Sequence, residues 1–230
     1  MQCMKLPGYG LIATIAALAF GASTVGSAPA ATGGHFVFGE EYAYILGTDE
    51  PANPNVFTLF GTTFTCQAVT YGAIFYESDK TSTELSVTPQ YSNCTGFGLP
   101  IHFSMNNCNY LVTIGPGNPA VTDNTTHLMC PNPNTGPTLT ATGPFGHCTI
   151  EVTANQTPTG GVTYSQGNTH SQLTVDVTTS GIHAVIKQGG FFQCLTSATT
   201  DSGATVTGAL IGVSTGAGGG LVAVTATGSG

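Results

Sequence analysis

The sequence predicts an all-β fold: a disulfide-stapled β-sandwich or barrel-like set of antiparallel sheets after an N-terminal signal peptide. Three observations carry the prediction. Apolar and hydroxyl-bearing residues alternate with period two, as in Ser171–Thr179, where Leu173, Val175 and Val177 take one face and Thr174, Asp176 and Thr178 the other. Gly-, Pro- and Asn-rich clusters separate such runs at short intervals. Six cysteines follow the signal segment, an even number that reads as a bridge framework.

The elements follow in chain order. Residues 1–30 start with a single cation, Lys5, pass through the apolar run Leu11–Phe20 and end in Ala28-Pro29-Ala30, the layout of a secretory signal with cleavage after Ala30. The apolar core is about half the roughly 20 residues a spanning helix needs. Cys3 would leave with the signal, and no integral membrane anchor is expected. The expected mature chain, residues 31–230, reads as a single extracellular β-rich domain. Its strand candidates are Phe36–Leu46, Val56–Phe60, Phe64–Tyr76, Thr83–Thr88, Ile101–Met105, Tyr110–Ile114, Thr138–Thr142, Cys148–Thr153, Gly161–Tyr164, Ser171–Thr179, Ile182–Lys187, Ala204–Ser214 and Leu221–Thr227. The last two are expected to form a C-terminal hairpin turning at Gly216–Gly220, and no helix is expected. The echo between Thr149–Thr153 and Thr174–Thr178 is too short to be a repeat.

Charge is scarce. Only 6% of residues are charged, against about 25% in an average chain. Past the signal, Lys80 and Lys187 stand against 11 acids, and there is no Arg. An acidic chain without Arg has no footprint for phosphate backbones, so nucleic acid is not an expected partner.

Sequence proximity pairs Cys94 with Cys108 and Cys130 with Cys148, leaving Cys66 with Cys194. Six cysteines allow 15 pairings in principle. The stretch from His127 to Cys148 holds two His near two Cys, but the Cys-x2–4-Cys and His-x3–5-His spacings of zinc sites are absent. In an oxidising compartment a bridge is the expected state, and no metal or cofactor is expected.

The runs "FTCQAVTY", "YSNCTGFGLPIHFSMNNCNY", "HLMCP", "HCTIEVTANQT" and "GGFFQC" resemble a group of uncharacterised exported, cysteine-paired β-rich proteins of soil actinobacteria. The likeness spans about Phe64 to Cys194 and implies export and three bridges. It implies no activity.

Gly212–Gly216 is a literal G-x-S-x-G, but a nucleophile elbow needs a helix after Ser214 and an acid and His later in the chain, and His183 and Asp201 both precede it. His35 would be a copper ligand only if cleavage followed Gly34, with a second imidazole from His102, His127, His147, His170 or His183. Asp49, Glu50, Asn53 and Asn55 offer hard oxygen donors for calcium in a turn. Glu40–Glu41 with Glu77–Asp79 is one arbitrary choice of a glycosidase carboxylate pair. Asn93, Asn124 and Asn155 open N-x-T sequons. Among the aromatics, Tyr91 and Phe97 flank Cys94 and are the candidates for displayed, ligand-binding rings; most others should be core.

The expectation is a secreted, non-catalytic β-domain protein with a structural or surface-interaction role. A carbohydrate- or cell-wall-binding module, contacting polysaccharide or a cell-surface component, is the alternative. A secreted hydrolase with an unrecognised carboxylate pair is the second.

Overall fold

Alternating inward apolar and outward polar side chains let the main sheet roll up until its edges meet. The computed structural model describes residues 34–49, 53–76, 78–115, 125–144, 146–166, 169–189, 194, 200–216 and 224–227, all within a unit spanning Ala31–Gly230. The expected signal segment lies outside the described residues. Fifteen strands are described: β1 (His35–Phe38), β2 (Tyr42–Asp49), β3 (Asn55–Leu59), β4 (Thr62–Tyr76), β5 (Thr81–Ser82), β6 (Glu84–Gly96), β7 (Leu99–Ser104), β8 (Asn109–Thr113), β9 (Thr125–Met129), β10 (Thr138–Gly143), β11 (Gly146–Val152), β12 (Thr159–Gln166), β13 (Gln172–Gln188), β14 (Thr200–Gly216) and β15 (Val224–Thr227). Among the described residues, only Cys194 has helical geometry.

Four strands, β4, β6, β13 and β14, are 13 to 17 residues long, where about 5–6 is usual. At about 3.3 Å per residue they run the length of the molecule and belong to two successive rings. In the lower ring β4, β3, β14, β13, β11, β10, β7 and β6 pair in sequence, and β6 returns to β4, so the ring is closed and antiparallel throughout. In the upper ring the order is β9, β8, β6, β4, β2, β14, β13, β12. No ladder joins β9 to β12 among the described residues, which leaves a seam. A separate small sheet, ordered β15, β1, β5, sends Phe36 and Phe38 into the upper core, where both are almost fully buried.

At the waist between the rings the alternation changes phase. On β4 the inward residues are Phe64 and Cys66, then Val69, Tyr71, Ala73 and Phe75; on β6 they are Leu85, Val87 and Pro89, then Cys94 and Gly96. The two strands stay in one register across the change, with Asn93 at φ 51° marking the switch. On β13 the same level carries an irregular register around Gly181 (φ 70°). That irregularity is why period two reads β13 as two strands.

Tight two-residue turns close the lower hairpins. Phe60-Gly61 and Phe97-Gly98 have positive φ at both central positions, the type I′ geometry whose twist matches the flanking strands; Asn106-Asn107 have the same signs and link β7 to β8, which both pair with β6 and not with each other. The side-chain oxygen Oδ2 of Asp201 accepts from the Phe60 N–H at 2.5 Å.

The expected bridge pairing is corrected. The bridges are Cys66–Cys94, Cys108–Cys130 and Cys148–Cys194, in place of Cys94–Cys108, Cys130–Cys148 and Cys66–Cys194. Register explains each. Cys66 faces Cys94 directly across the β4–β6 ladder. Cys108 and Cys130 extend the β8–β9 ladder by one step beyond Asn109 and Met129. Cys148 faces Ala141 within the β10–β11 hairpin, so its thiol is directed into the lower core and meets Cys194 there. Three bridges fit an oxidising, non-cytoplasmic environment, and no described helix is long and apolar enough to cross a membrane.

The C-terminal hairpin is corrected too. β14 pairs with β2, β3 and β13, and β15 leaves the barrel to pair with β1. The expected strand 36–46 is two strands parted by exposed Glu40 and Glu41.

Candidate functional site: a cavity inside the upper barrel

The upper ring is not packed solid. A cavity of about 90 Å³ runs from Phe36 of the small sheet down to Ile182 and Val206 at the waist. A second void of about 30 Å³ shares Tyr110, Pro158, Ile182 and Val206 with it. The walls are otherwise aliphatic and aromatic, and no charged side chain lines the main cavity.

Asn55, Tyr71, Tyr91, Tyr110, Thr126, Tyr164 and Thr179 bring polar groups to that wall, and four of them stand out: Asn55, Tyr71, Thr126 and Tyr164. Their Nδ2, OH, Oγ1 and OH atoms are the buried side-chain nitrogen and oxygen atoms without a hydrogen-bond partner among the described residues. All four line this one cavity. Native proteins leave few such groups, because each costs about 1–3 kcal/mol. Chance would scatter them over the interior; here they converge.

Local structure explains how each arrives. Asn55 opens β3 with the inward parity of Phe57 and Leu59. Tyr71 follows Val69 on the inward face of β4 and lies over two glycines. A Cβ on Gly47 would sit 2.0 Å from Tyr71 Cζ, and one on Gly212 would sit 2.7 Å from its hydroxyl. Gly47 faces both Tyr71 and Gly212 in the ladders, so a notch of two glycines makes room for the ring. Tyr164 shares the inward parity of Val162 on β12 and meets Phe36 edge-on at 5.3 Å. Thr126, on β9, and Pro158, just before β12, reach the cavity from either side of the seam.

Burial pushes the Tyr71 and Tyr164 hydroxyls well above their ordinary ionisation range. Tyr91 and Tyr110 are raised for the same first reason, and their hydroxyls share a hydrogen bond. The cavity therefore presents neutral donors and acceptors at any physiological pH.

Residues 155–157 strap the lower part of the seam. The Leu128 N–H donates to the Gln156 carbonyl at 2.9 Å, the Cys130 N–H to Asn155 Oδ1 at 2.7 Å, and Thr157 Oγ1 lies 2.7 Å from His127 Nδ1. On its other side Gln156 Oε1 accepts from the His183 N–H at 2.7 Å, and Gln156 Nε2 donates to the His183 carbonyl at 3.1 Å.

The rings singled out by sequence are not displayed. Tyr91 packs at 5.2 Å from Phe57 and 4.4 Å from Phe103 and lines the cavity. Phe97 sits in its tight turn with its ring edge-on to Phe64 at 5.0 Å. Both are half-buried: Tyr91 continues the inward parity of Leu85, Val87 and Pro89, and Phe97 lays its ring from the turn onto Phe64. The outer face instead carries Tyr42 and Tyr44, in edge contact at 4.9 Å, beside Leu46 and Ile74, which are 60% and 64% exposed.

The remaining candidates do not assemble. Ser214 lies within β14 opposite Ile45, with no following helix described. His35 opens β1 opposite Thr227, His127 Nδ1 meets Thr157, and His147 Nδ1 meets Thr142 Oγ1 at 2.9 Å. Asp49 Oδ1 accepts from the Val69 N–H and Asn55 points into the barrel, so they do not share a calcium turn; Glu50 lies outside the described residues. Of the imagined carboxylate pair, Glu40, Glu41 and Asp79 are exposed, and Glu77 lies outside the described residues. Asn93 is exposed, Asn155 Oδ1 is engaged in the strap, and Asn124 lies outside the described residues.

Sequence could have found three of the cavity's polar groups by parity alone: Asn55 with Phe57, Tyr71 with Ala73, and Tyr164 with Val162. Thr126, in the polar stretch Thr125–Met129, carried no such signal. Compared with protein-family models, with curated proteins and with solved structures, the chain matches none.

Proposed function

We propose that the protein is an exported, non-catalytic binding protein that holds a small, mainly apolar molecule inside its upper barrel. The observation that carries the reading is the convergence of four unpartnered buried polar atoms on one apolar cavity. Binding sites for small molecules have this composition: apolar walls for affinity and a few placed polar groups for orientation. No described carboxylate, and no His or Cys, lines the cavity, which favours holding a ligand over transforming it. Export is supported by the layout of residues 1–30 and by the three bridges.

Isothermal calorimetry and native mass spectrometry of the purified protein with small apolar compounds test the reading. Stoichiometric uptake that is abolished when Val162→Trp fills the cavity is the expected result. Uptake unaffected by that change, or none for any compound up to one ring in size, would overturn it.

A second reading concerns the outer face of β2 and β4. Half-buried Tyr42 and Tyr44 and exposed Leu46 and Ile74 form an outward aromatic and aliphatic strip, the kind of surface that contacts polysaccharide or a cell-surface component in the structural or surface-interaction role expected from composition. Retention on insoluble polysaccharide or cell wall, lost in Tyr44→Ala, would support it. No retention would remove it. The remaining outward residues are largely Thr, Ser and Gln, as on β6, unlike the apolar band of a membrane barrel.

A further inference from the structure

Resting on the cavity reading, we infer the chemical class of the ligand: a neutral, oxygen-bearing molecule of about one six-membered ring, such as a phenol or cyclic alcohol. Three observations converge on it.

Charge comes first. The chain has no Arg. Lys80 Nζ is engaged with the Gly39 carbonyl at the surface, and Lys187 pairs with Glu151 at 3.0 Å. Neither lysine lines the cavity. A carboxylate or phosphate ligand would therefore enter an apolar wall without a counter-ion, and an unpaired buried charge is strongly disfavoured. A cationic ligand would likewise find no described carboxylate on the wall. Neutral molecules alone escape that cost.

Hydrogen-bonding capacity comes second. Asn55 Nδ2 can only donate, so the ligand must offer it a lone pair. The hydroxyls of Tyr71, Thr126 and Tyr164 can donate or accept. A hydroxyl or carbonyl oxygen on the ligand can accept from Asn55 or from any of the three hydroxyls. A pure hydrocarbon would leave all four groups as they are.

Size comes third. The two voids that share a wall measure about 90 and 30 Å³. An apolar cavity of about 150 Å³ takes benzene. The space here is somewhat smaller than that, which sets one ring as the upper limit and excludes sterols and long acyl chains.

The test compares p-cresol, toluene and benzoate, which share a ring and differ in oxygen and charge, by calorimetry on the wild type and on Asn55→Leu and Tyr164→Phe. Circular dichroism confirms folding of each variant, and Tyr164→Phe keeps the test valid if Asn55→Leu does not fold. The expected result is binding of p-cresol, no binding of benzoate, and a p-cresol to toluene affinity ratio about fivefold to tenfold lower in the variants, the loss of one hydrogen bond. If p-cresol and toluene bind with a ratio unchanged by the variants, or benzoate binds as well as p-cresol, the inference falls while the cavity reading stands. If none of the three binds, the cavity reading falls with it.

Discussion

Tyr164→Phe separates a cavity that awaits a ligand from one already satisfied by water. The change deletes one oxygen and keeps the ring that meets Phe36 edge-on at 5.3 Å. The Tyr164 hydroxyl is buried without a partner on an apolar wall, so the fold bears its desolvation cost, about 1–3 kcal/mol for such a group. Removing the oxygen should therefore stabilise the ligand-free protein by about 1–3 kcal/mol. For a domain of this size each kcal/mol moves Tm by about 2–4 °C, so the expected rise is about 2–12 °C. Differential scanning calorimetry with the bridges intact, on protein freed of bound small molecules by solvent extraction and dialysis, gives the number, and urea titration gives an independent one. The same variant should bind the ligand less well, so stability and affinity move in opposite directions. A fall in stability of about 1 kcal/mol or more would refute the reasoning, because it would mean the hydroxyl already holds a hydrogen bond in the empty cavity.

Non-reducing peptide mapping should return Cys66–Cys94, Cys108–Cys130 and Cys148–Cys194. The loops span 28, 22 and 46 residues, so replacing any one pair by Ala should cost about 3–4 kcal/mol on chain entropy; a peptide joining Cys66 to Cys194 would break the register. Gly47→Ala should destabilise by about 1–3 kcal/mol, since its Cβ would overlap the Tyr71 ring; unchanged urea stability would mean the ring does not lie in the glycine notch. In alkali the fold keeps Tyr71 and Tyr164 protonated while the unfolded chain releases those protons near pH 10. The unfolded state then binds fewer protons, so the stability is fully present below about pH 10 and is lost above it by about 1.4 kcal/mol per unit for each tyrosine. Urea midpoints across that range, with tyrosinate absorbance as the second signal, test this, and a flat profile would refute the burial of both hydroxyls.

The all-β class was legible because half-buried strands write themselves as alternation, and β13 shows it plainly around Leu173, Val175 and Val177. The bridge pairing was not, because it depends on which distant strands become neighbours. Cys66 and Cys94 lie 28 residues apart yet face each other across a ladder. Tyr91 faces inward with Leu85, Val87 and Pro89, and closeness to Cys94 in sequence carries no information about that face. The strand β9 was missed because its inward side offers little but Leu128. Parity marks the inward face of three of the cavity's polar groups, Asn55, Tyr71 and Tyr164, but that they lack partners shows only once their neighbours across the barrel are known.

A tube slit along its length yields to torsion far more readily than an intact one. Here the lower half is an intact tube and the upper half is slit between β9 and β12, with four strands continuous through both. Twisting should therefore concentrate above the waist, where among the described residues only the bonds from residues 155–157 to His127, Leu128 and Cys130 hold the lips of the slit together, while the lower half stays stiff. Thr126 and Pro158 stand on those two lips. A passage into the interior can then open by shear of the wall at the cost of the few bonds of that strap, with every rung of the ladders kept.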